Sequence, residues 1–357
     1  MRGEVRGMSV RLALLVGATA ALAACAPQGE RSPSFTATQQ HSGVGDSLRG
    51  LSVVDAQTVW IGAPDGQVLR TVDGGNTWQI SHIPGAEGLD LRSAHGFDAD
   101  RALFFTAGQP ARLYLTEDGG ETFSTVWEDE TGAAFFDALT FWNPLEGLAF
   151  SDPVDGGFLV LLTFDGGRSW RRAEGLPEPL EGEAGFAASD TSIAVSNDGC
   201  AYIGTGGAQT ARILRGCGYG AAWDAVETPL AAGAAGAGVF SLTWTGDRLV
   251  AAGGNYEAPD QAEGVLAWSR NHGESWAEPL EPPRGYRSAV AVLPRHPDVL
   301  VATGPTGTDI SRNGGEIWTP LEALDGHHAI AFAPDGSVGW AVGSDGRITR
   351  IEVDAAD

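Results

Sequence analysis

The stretch TVDGGNTW (71–78) sets an acid, two glycines and an aromatic in eight residues, and alone it reads as a catalytic loop with Asp73 as its acid. It recurs as TEDGGETF (116–123), TFDGGRSW (163–170), SRNHGESW (269–276) and SRNGGEIW (311–318), with a decayed copy GCGYGAAW at 216–223. The acid positions are Asp73, Asp118, Asp165, Asn271 and Asn313, with Gly218 in the decayed copy, and an aromatic falls five residues after each. Asn keeps the accepting oxygen and loses the charge, which suits a turn-fixing role and not a general acid. Six equivalent copies cannot all be one active site. The boxes are therefore expected to be structural: the acid accepts from nearby backbone N–H and hydroxyl groups, the glycines supply positive φ, and the aromatic packs between sheets.

The elements that carry the boxes follow from their spacing. Successive acid positions lie 45, 47, 53, 53 and 42 residues apart, and such a period with several short strands per repeat means propeller blades. Each repeat reads as an apolar strand, a polar turn, a second strand ending in Gly, a loop, a third strand, the box and a short fourth strand, most clearly in 48–80. First strands align at Arg49, Arg92, Asp137, Ala187, Ser241, Arg287 and His328. The expected fold is an all-β, seven-bladed β-propeller over residues 35–357. The last repeat (327–353) supplies three strands, and Phe35–His41 is expected to add the fourth and close the ring, removing the exposed edges.

In this plan the loops entering the first strands and those joining second to third strands share one face, and the boxes lie on the other. The candidate binding residues on the first face are Arg49, Arg92, Asp137, Asp152, Asp155, Tyr256, Arg287, His328 and Asp309. Arg49, Arg92 and Arg287 come from three blades at one level, where guanidinium groups can converge on an anion such as a carboxylate. The alternative is that they balance acids such as Asp137 around the channel mouth. His327 and His328 have no further His or Cys at metal-ligand spacing, and Asp152 and Asp155 (SDPVDGG, 151–157) lack the many oxygens that calcium takes. No metal and no cofactor are expected.

The net charge is −24 and all 22 basic residues are Arg. Nucleic-acid binding, which needs a basic footprint, is excluded, as are Schiff-base chemistry and a P-loop lysine. Arg2, Arg6 and Arg11 precede the apolar run LALLVGATAALAA (12–24), too short to span a bilayer comfortably. The following Leu22-Ala23-Ala24-Cys25 resembles a bacterial lipobox. Residues 1–24 are thus expected to be a lipoprotein signal peptide, and 25–34 a lipidated Cys25 and tether. The expected location is the periplasmic side of the cell envelope, at the outer membrane, with membrane attachment by the lipid alone. Cys200 and Cys217 would face each other across a hairpin turning near Gly207. A disulfide is expected in an oxidising compartment, with a free redox pair as the alternative. In blade four such a bridge could hold the turn that has lost its acid.

The boxes resemble the BNR/Asp-box repeats of sialidases and related propellers. The wider pattern resembles bacterial proteins related to the plant photosystem II stability/assembly factor. The stretches that carry it are 47–78, AFFDALTFWNPLEGLAFSDPVDGGF (134–158), GVFSLTW (238–244), YRSAVAVLP (286–294) and 327–350. The resemblance implies a non-catalytic binding or assembly module, expected to be a monomer, with a protein or glycan partner on the channel face. A sialidase-like hydrolase is the enzymatic alternative. It needs a Tyr–Glu nucleophile pair, an opposed acid and an Arg trio such as Arg49, Arg92 and Arg287. Tyr256-Glu257 is adjacent in sequence, but the Arg-Ile-Pro stretch near the start of sialidase domains is absent.

Overall fold

The computed structural model describes residues 1, 3 and 32–354, so the expected signal segment and Cys25 lie outside the described residues. Short apolar stretches separated by Gly, Asp and Asn turns form strands and no helix among the described residues. A strand β1 (Ser34–His41) precedes blade one, which is β2 (Gly50–Val53), β3 (Val59–Gly62), β4 (Gln67–Thr71) and β5 (Gln79–His82). Blade two splits its first strand into β6 (Asp90–Leu91) and β7 (His95–Gly96), followed by β8 (Ala102–Ala107), β9 (Arg112–Thr116) and β10 (Ser124–Glu128). Blade three is β11 (Phe136–Phe141), β12 (Gly147–Val154), β13 (Gly157–Thr163) and β14 (Arg171–Arg172). Blade four is β15 (Ile193–Val195), β16 (Ala201–Gly204), β17 (Arg212–Cys217) and β18 (Ala222–Glu227).

Blade five has three strands, β19 (Ala237–Trp244), β20 (Leu249–Asn255) and β21 (Leu266–Ser269). Its expected fourth strand is reduced to a single bridge, Trp268 to Ala277. The segment that follows carries Pro279, Pro282 and Pro283, which have no N–H to extend a ladder. Blade six is β22 (Ala289–Leu293), β23 (His296–Gly304), β24 (Gly307–Ser311) and β25 (Trp318–Pro320). Blade seven is β26 (Ala329–Phe332), β27 (Val338–Val342) and β28 (Arg347–Asp354), completed by β1. The fold is a seven-bladed β-propeller.

β1 pairs antiparallel with β28 from Ser34–Asp354 to His41–Arg347, which closes the ring. Phe35 packs on Phe332 of β26, with ring centroids 6.4 Å apart. Both ends of β1 also touch neighbouring boxes. The Pro33 carbonyl accepts from Arg312 Nη2 of the blade-six box at 3.4 Å, and Gln40 Nε2 donates to the Gly74 carbonyl of the blade-one box at 3.1 Å.

The boxes lie between the third and fourth strands, and their hydrogen bonds are local. Thr71 Oγ1 donates to Asp73 Oδ1 at 2.8 Å, and Thr77 Oγ1 donates to Oδ2 at 2.7 Å. The Thr77 N–H donates to Oδ1 at 2.9 Å, and Thr71 Oγ1 accepts from the Gly75 N–H at 2.9 Å. The Thr77 hydroxyl, then its amide, holds the Asp73 carboxyl below the usual carboxylate range, so it is an acceptor and stays ionised. Asn313 fills the same place, accepting from Ser311 Oγ and the Ile317 N–H.

The boxes that keep Asp or Asn also latch blades together. Guanidinium groups from the preceding blade donate to the carbonyl after the acid position: Arg70 to Gly119 at 3.3 Å, Arg215 to His272 at 3.1 Å and Arg248 to Gly314 at 2.7 Å. Gln40 does the same at the closure. The hydrophobic core lies in layers between adjacent sheets. One layer joins Leu103, Phe105 and Leu113 of blade two to Phe136, Ala149 and Leu161 of blade three. Buried Trp60 sends its indole N–H across a junction to the Asp98 carbonyl at 2.9 Å, and buried Trp340 sends its own to Gln40 Oε1 of β1 at 3.1 Å, within the closing blade. In blade four a Cys200–Cys217 disulfide joins the residues flanking the Ala201–Gly216 pair, beside the box that lacks an acid.

Candidate functional site

The face opposite the boxes holds a cavity of about 480 Å³ at the channel mouth, lined by residues from several blades. Arg49 and Arg92 form one side, each just outside a first-strand ladder. Both reach across the channel to the loop entering blade four: Arg49 Nη1 donates to the Ala188 carbonyl at 3.0 Å, and Arg92 Nη1 to the Ala187 carbonyl at 3.4 Å. Arg92 is paired with Asp90 at 2.6 Å, whereas Arg49 makes no ion pair among the described residues. Burial, and then the neighbouring Arg92 charge, lower the Arg49 pKa. A guanidinium in that position gains when an anion enters.

The other side is aromatic. Phe186 stacks on Phe240 with centroids 3.8 Å apart and planes 17° from parallel. Tyr286 meets Phe240 edge-on at 4.8 Å, and the half-exposed Tyr256 does so at 6.2 Å. His328 completes the wall, its Nε2 3.1 Å from Ser344 Oγ. Burial, and then Arg49, lower its pKa to about 4, so it faces the cavity as a neutral imidazole. The cavity combines two cations with an aromatic platform and presents no carboxylate among its lining residues.

Comparison with known proteins places this architecture. Among solved structures, YCF48 bound to D1 peptide superposes with a TM-score of 0.63 at 16% identity, covering 90% of this chain and 97% of that one. The chain has the fold of YCF48. YCF48 from Cyanidioschyzon merolae gives the same TM-score of 0.63 at 16% identity, over 89% of this chain and 99% of that one. The Neurospora crassa Pan2 WD40 domain follows at 0.59 and 12% identity, over 86% and 89%. The resemblance to the photosystem II assembly factor is thus one of fold. No family model matches the chain. A vacuolar protein sorting/targeting protein 10 of Neosartorya fischeri is 28% identical over 115 residues, which is 31% of this chain and 8% of that protein.

On the YCF48-like ring, the residues singled out from sequence separate into three groups, with Asp155 apart from all of them. Arg49, Arg92, Tyr256 and His328 line the cavity together. Arg287 does not join them. It is fully buried and bonded to Asp309, with Nε–Oδ2 at 2.9 Å, and Asp309 also holds Arg284 Nε at 2.9 Å. Successive residues of an extended chain face opposite ways, so Tyr286 and Ser288 reach the cavity while Arg287 points away from it. Arg287 and Asp309 are therefore a structural ion pair, and the three-arginine cluster reduces to two.

Asp137 and Asp152 form the third group. Asp137 sits where the β11–β12 register shifts between Phe136 and Ala138, is 1% exposed, and receives no hydrogen bond from a donor. Burial, and then the Asp152 charge, raise its pKa well above the usual range. Burial also raises that of Asp152, whose Oδ1 accepts from the Gly185 N–H at 2.8 Å. Both carboxyls are thus shifted toward the protonated form, next to Gly185 in the loop whose following residues line the cavity. Asp155 lies at the exposed β12–β13 turn with φ 54° and does not line the cavity.

Sequence reasoning missed Phe186 and Phe240, whereas Tyr286, which it set near the site face together with Tyr256, does line the cavity. It aligned Ser241 with the channel, but a register shift between Val239 and Ser241 turns the hydroxyl inward, where it donates or accepts with Thr191 Oγ1 and accepts from the Val290 N–H. It also missed Asp190, buried at φ 62°, which ties blades two, three and four by accepting from the Ala94 and Leu139 N–H groups.

His327 points away from the cavity and is 2% exposed, with Nδ1 2.7 Å from the Asp325 carbonyl and Nε2 2.9 Å from Thr349 Oγ1. Burial lowers its pKa from 6.5 to about 4. The unfolded chain therefore takes up this proton first as pH falls. The stability from neutral His327 is complete above pH 6.5 and declines toward pH 4, at about 1.4 kcal/mol per pH unit. Urea unfolding at pH 7 and pH 5 should show this loss. His327→Asn should remove that share of the slope, and an unchanged slope would refute the assignment.

Proposed function

We propose that this chain is an exported, lipid-anchored, non-catalytic binding module that holds a carboxylate-bearing segment of a partner protein in the channel cavity. The observation that carries the reading is the Arg49 guanidinium, unpaired among the described residues, beside Arg92 and opposite the Phe186–Phe240 stack. A carboxylate takes the guanidinium charge while an adjacent apolar or aromatic side chain lies on the stack. That YCF48 has been solved bound to D1 peptide supports a peptide as the occupant. The basic and apolar N-terminal segment ending at Cys25 supports export and anchoring, in the cell envelope on its periplasmic side. A sialidase-like reading loses support because Arg287 is bound to Asp309.

The test is calorimetric titration with a short peptide ending in an aromatic residue and a free carboxylate, against its C-terminal amide. The acid should bind at least about tenfold more tightly, and Arg49→Gln should weaken it by ~10–100-fold, the range for a lost charge-assisted hydrogen bond. Equal binding of acid and amide by the parent chain would overturn the reading. So would turnover of a fluorogenic sialoside that Arg49→Gln and Arg92→Gln abolish.

A further inference from the structure

The disulfide of blade four has neighbours that its structural role does not use. Asp198, Cys200 and His272 offer a carboxylate oxygen, Sγ and an imidazole nitrogen that all lie within 4.8 Å of one another. His272 comes from the blade-five box, so the group straddles a blade junction. Its Nε2 is 4.0 Å from Asp198 Oδ2. Its other nitrogen, Nδ1, is hydrogen-bonded to the hydroxyl of the fully buried Tyr202. The ring lies on Trp244, centroids 5.2 Å apart and planes 24° from parallel. A hydrogen bond on one nitrogen and a stacked face fix the ring plane and leave the second nitrogen aimed at Asp198. This is the arrangement that orients an imidazole for a metal ion.

The backbone adds an independent observation. His272 has φ 58° at a position where Gly74, Gly119, Gly166 and Gly314 stand in four boxes and Tyr219, at φ 59°, in the decayed one. A side chain is kept where glycine is the unstrained choice, and strain of that kind concentrates at functional sites. With the disulfide closed, the sulfur is not a thiolate and the ligand set is incomplete.

We infer that the Cys200–Cys217 disulfide is a redox lock on a divalent-cation site of the zinc class, with Cys200, Cys217, His272 and Asp198 as ligands. A dithiol reductant gives two electrons and two protons to the S–S bond. That bond breaks to two thiols while the reductant closes to its own disulfide. On binding, the cation displaces one proton from each thiol and takes two thiolates, the imidazole and the carboxylate, a donor set and number that suit a tetrahedral ion. Tyr202 and Trp244 are positioning residues, acting through the His272 ring.

The experiment titrates the full chain with Co²⁺, with the disulfide intact or reduced by a phosphine, following the thiolate-to-cobalt charge-transfer absorption. The reduced chain should bind one Co²⁺ and the oxidised chain none. His272→Gly restores the residue found in other boxes and should fold, read as retained near-UV circular dichroism, while losing at least about tenfold in affinity. Tyr202→Phe should cost roughly tenfold and keep the charge-transfer band, as expected for a supporting partner. Binding that ignores the disulfide state, or that His272→Gly leaves unchanged, would overturn the proposal. So would a reduced chain that retains its circular dichroism and takes up no Co²⁺, or one that loses the signal and does not regain it with Co²⁺.

Discussion

An Asp309→Ala variant will lose about 3–5 kcal/mol of folding stability, the cost of stripping one partner from a buried ion pair. Arg287 is fully buried and Asp309 is 1% exposed, so the guanidinium left behind can be neither hydrated nor readily deprotonated. Two other acceptors remain, the Tyr286 carbonyl at 2.8 Å and Thr306 Oγ1 at 3.1 Å, and neither carries charge. Arg284, the second partner of Asp309, is 51% exposed and will simply turn to water. Urea unfolding should therefore separate two variants. Asp309→Ala carries the full penalty, whereas the double change Arg287→Met/Asp309→Leu should recover most of it by removing both charges. A loss under about 1 kcal/mol in Asp309→Ala would mean that the pair is not desolvated.

Deletion of 34–41 should be comparably damaging and should change the association state. β1 covers the full length of β28, and at ~1 kcal/mol net per hydrogen bond its removal costs several kcal/mol before packing is counted. Phe35 and Ala37 leave the layer that contains Ile351, Val353 and Phe332. β28 then becomes an open edge with an apolar side, a template for pairing with another chain. Light scattering after size exclusion should show self-association absent from the parent chain. A deletion variant with the parent's unfolding midpoint would contradict this account of closure.

The parts of this molecule that could be read from sequence are those built from short-range bonds. A box joins residues two to four positions apart, as in Thr71–Asp73 and Asp73–Thr77, so its spelling survives in the chain and its spacing counts the blades. The Cys200–Cys217 pairing and the return of β1 to β28 followed from the same count. The cavity was half legible. Arg49, Arg92, Tyr256 and His328 were placed by strand order, but which way a residue faces depends on register. The shifts at Phe136/Ala138 and Val239/Ser241 each offset that alternation by one residue. Phe186 escaped because it lies in an irregular loop with no period to reveal it, and Asp190 because its partners are 96 and 51 residues away.

The contact of Pro33 with Arg312 has a directional consequence. The chain joins the ring beside a box, and the cavity opens at the far end of the channel. Whatever holds the residues before Pro33 therefore holds the ring by its back. The arginines and the aromatic stack lie on the face away from Pro33. In the proposed anchored form, a partner docks without passing between the ring and its anchor.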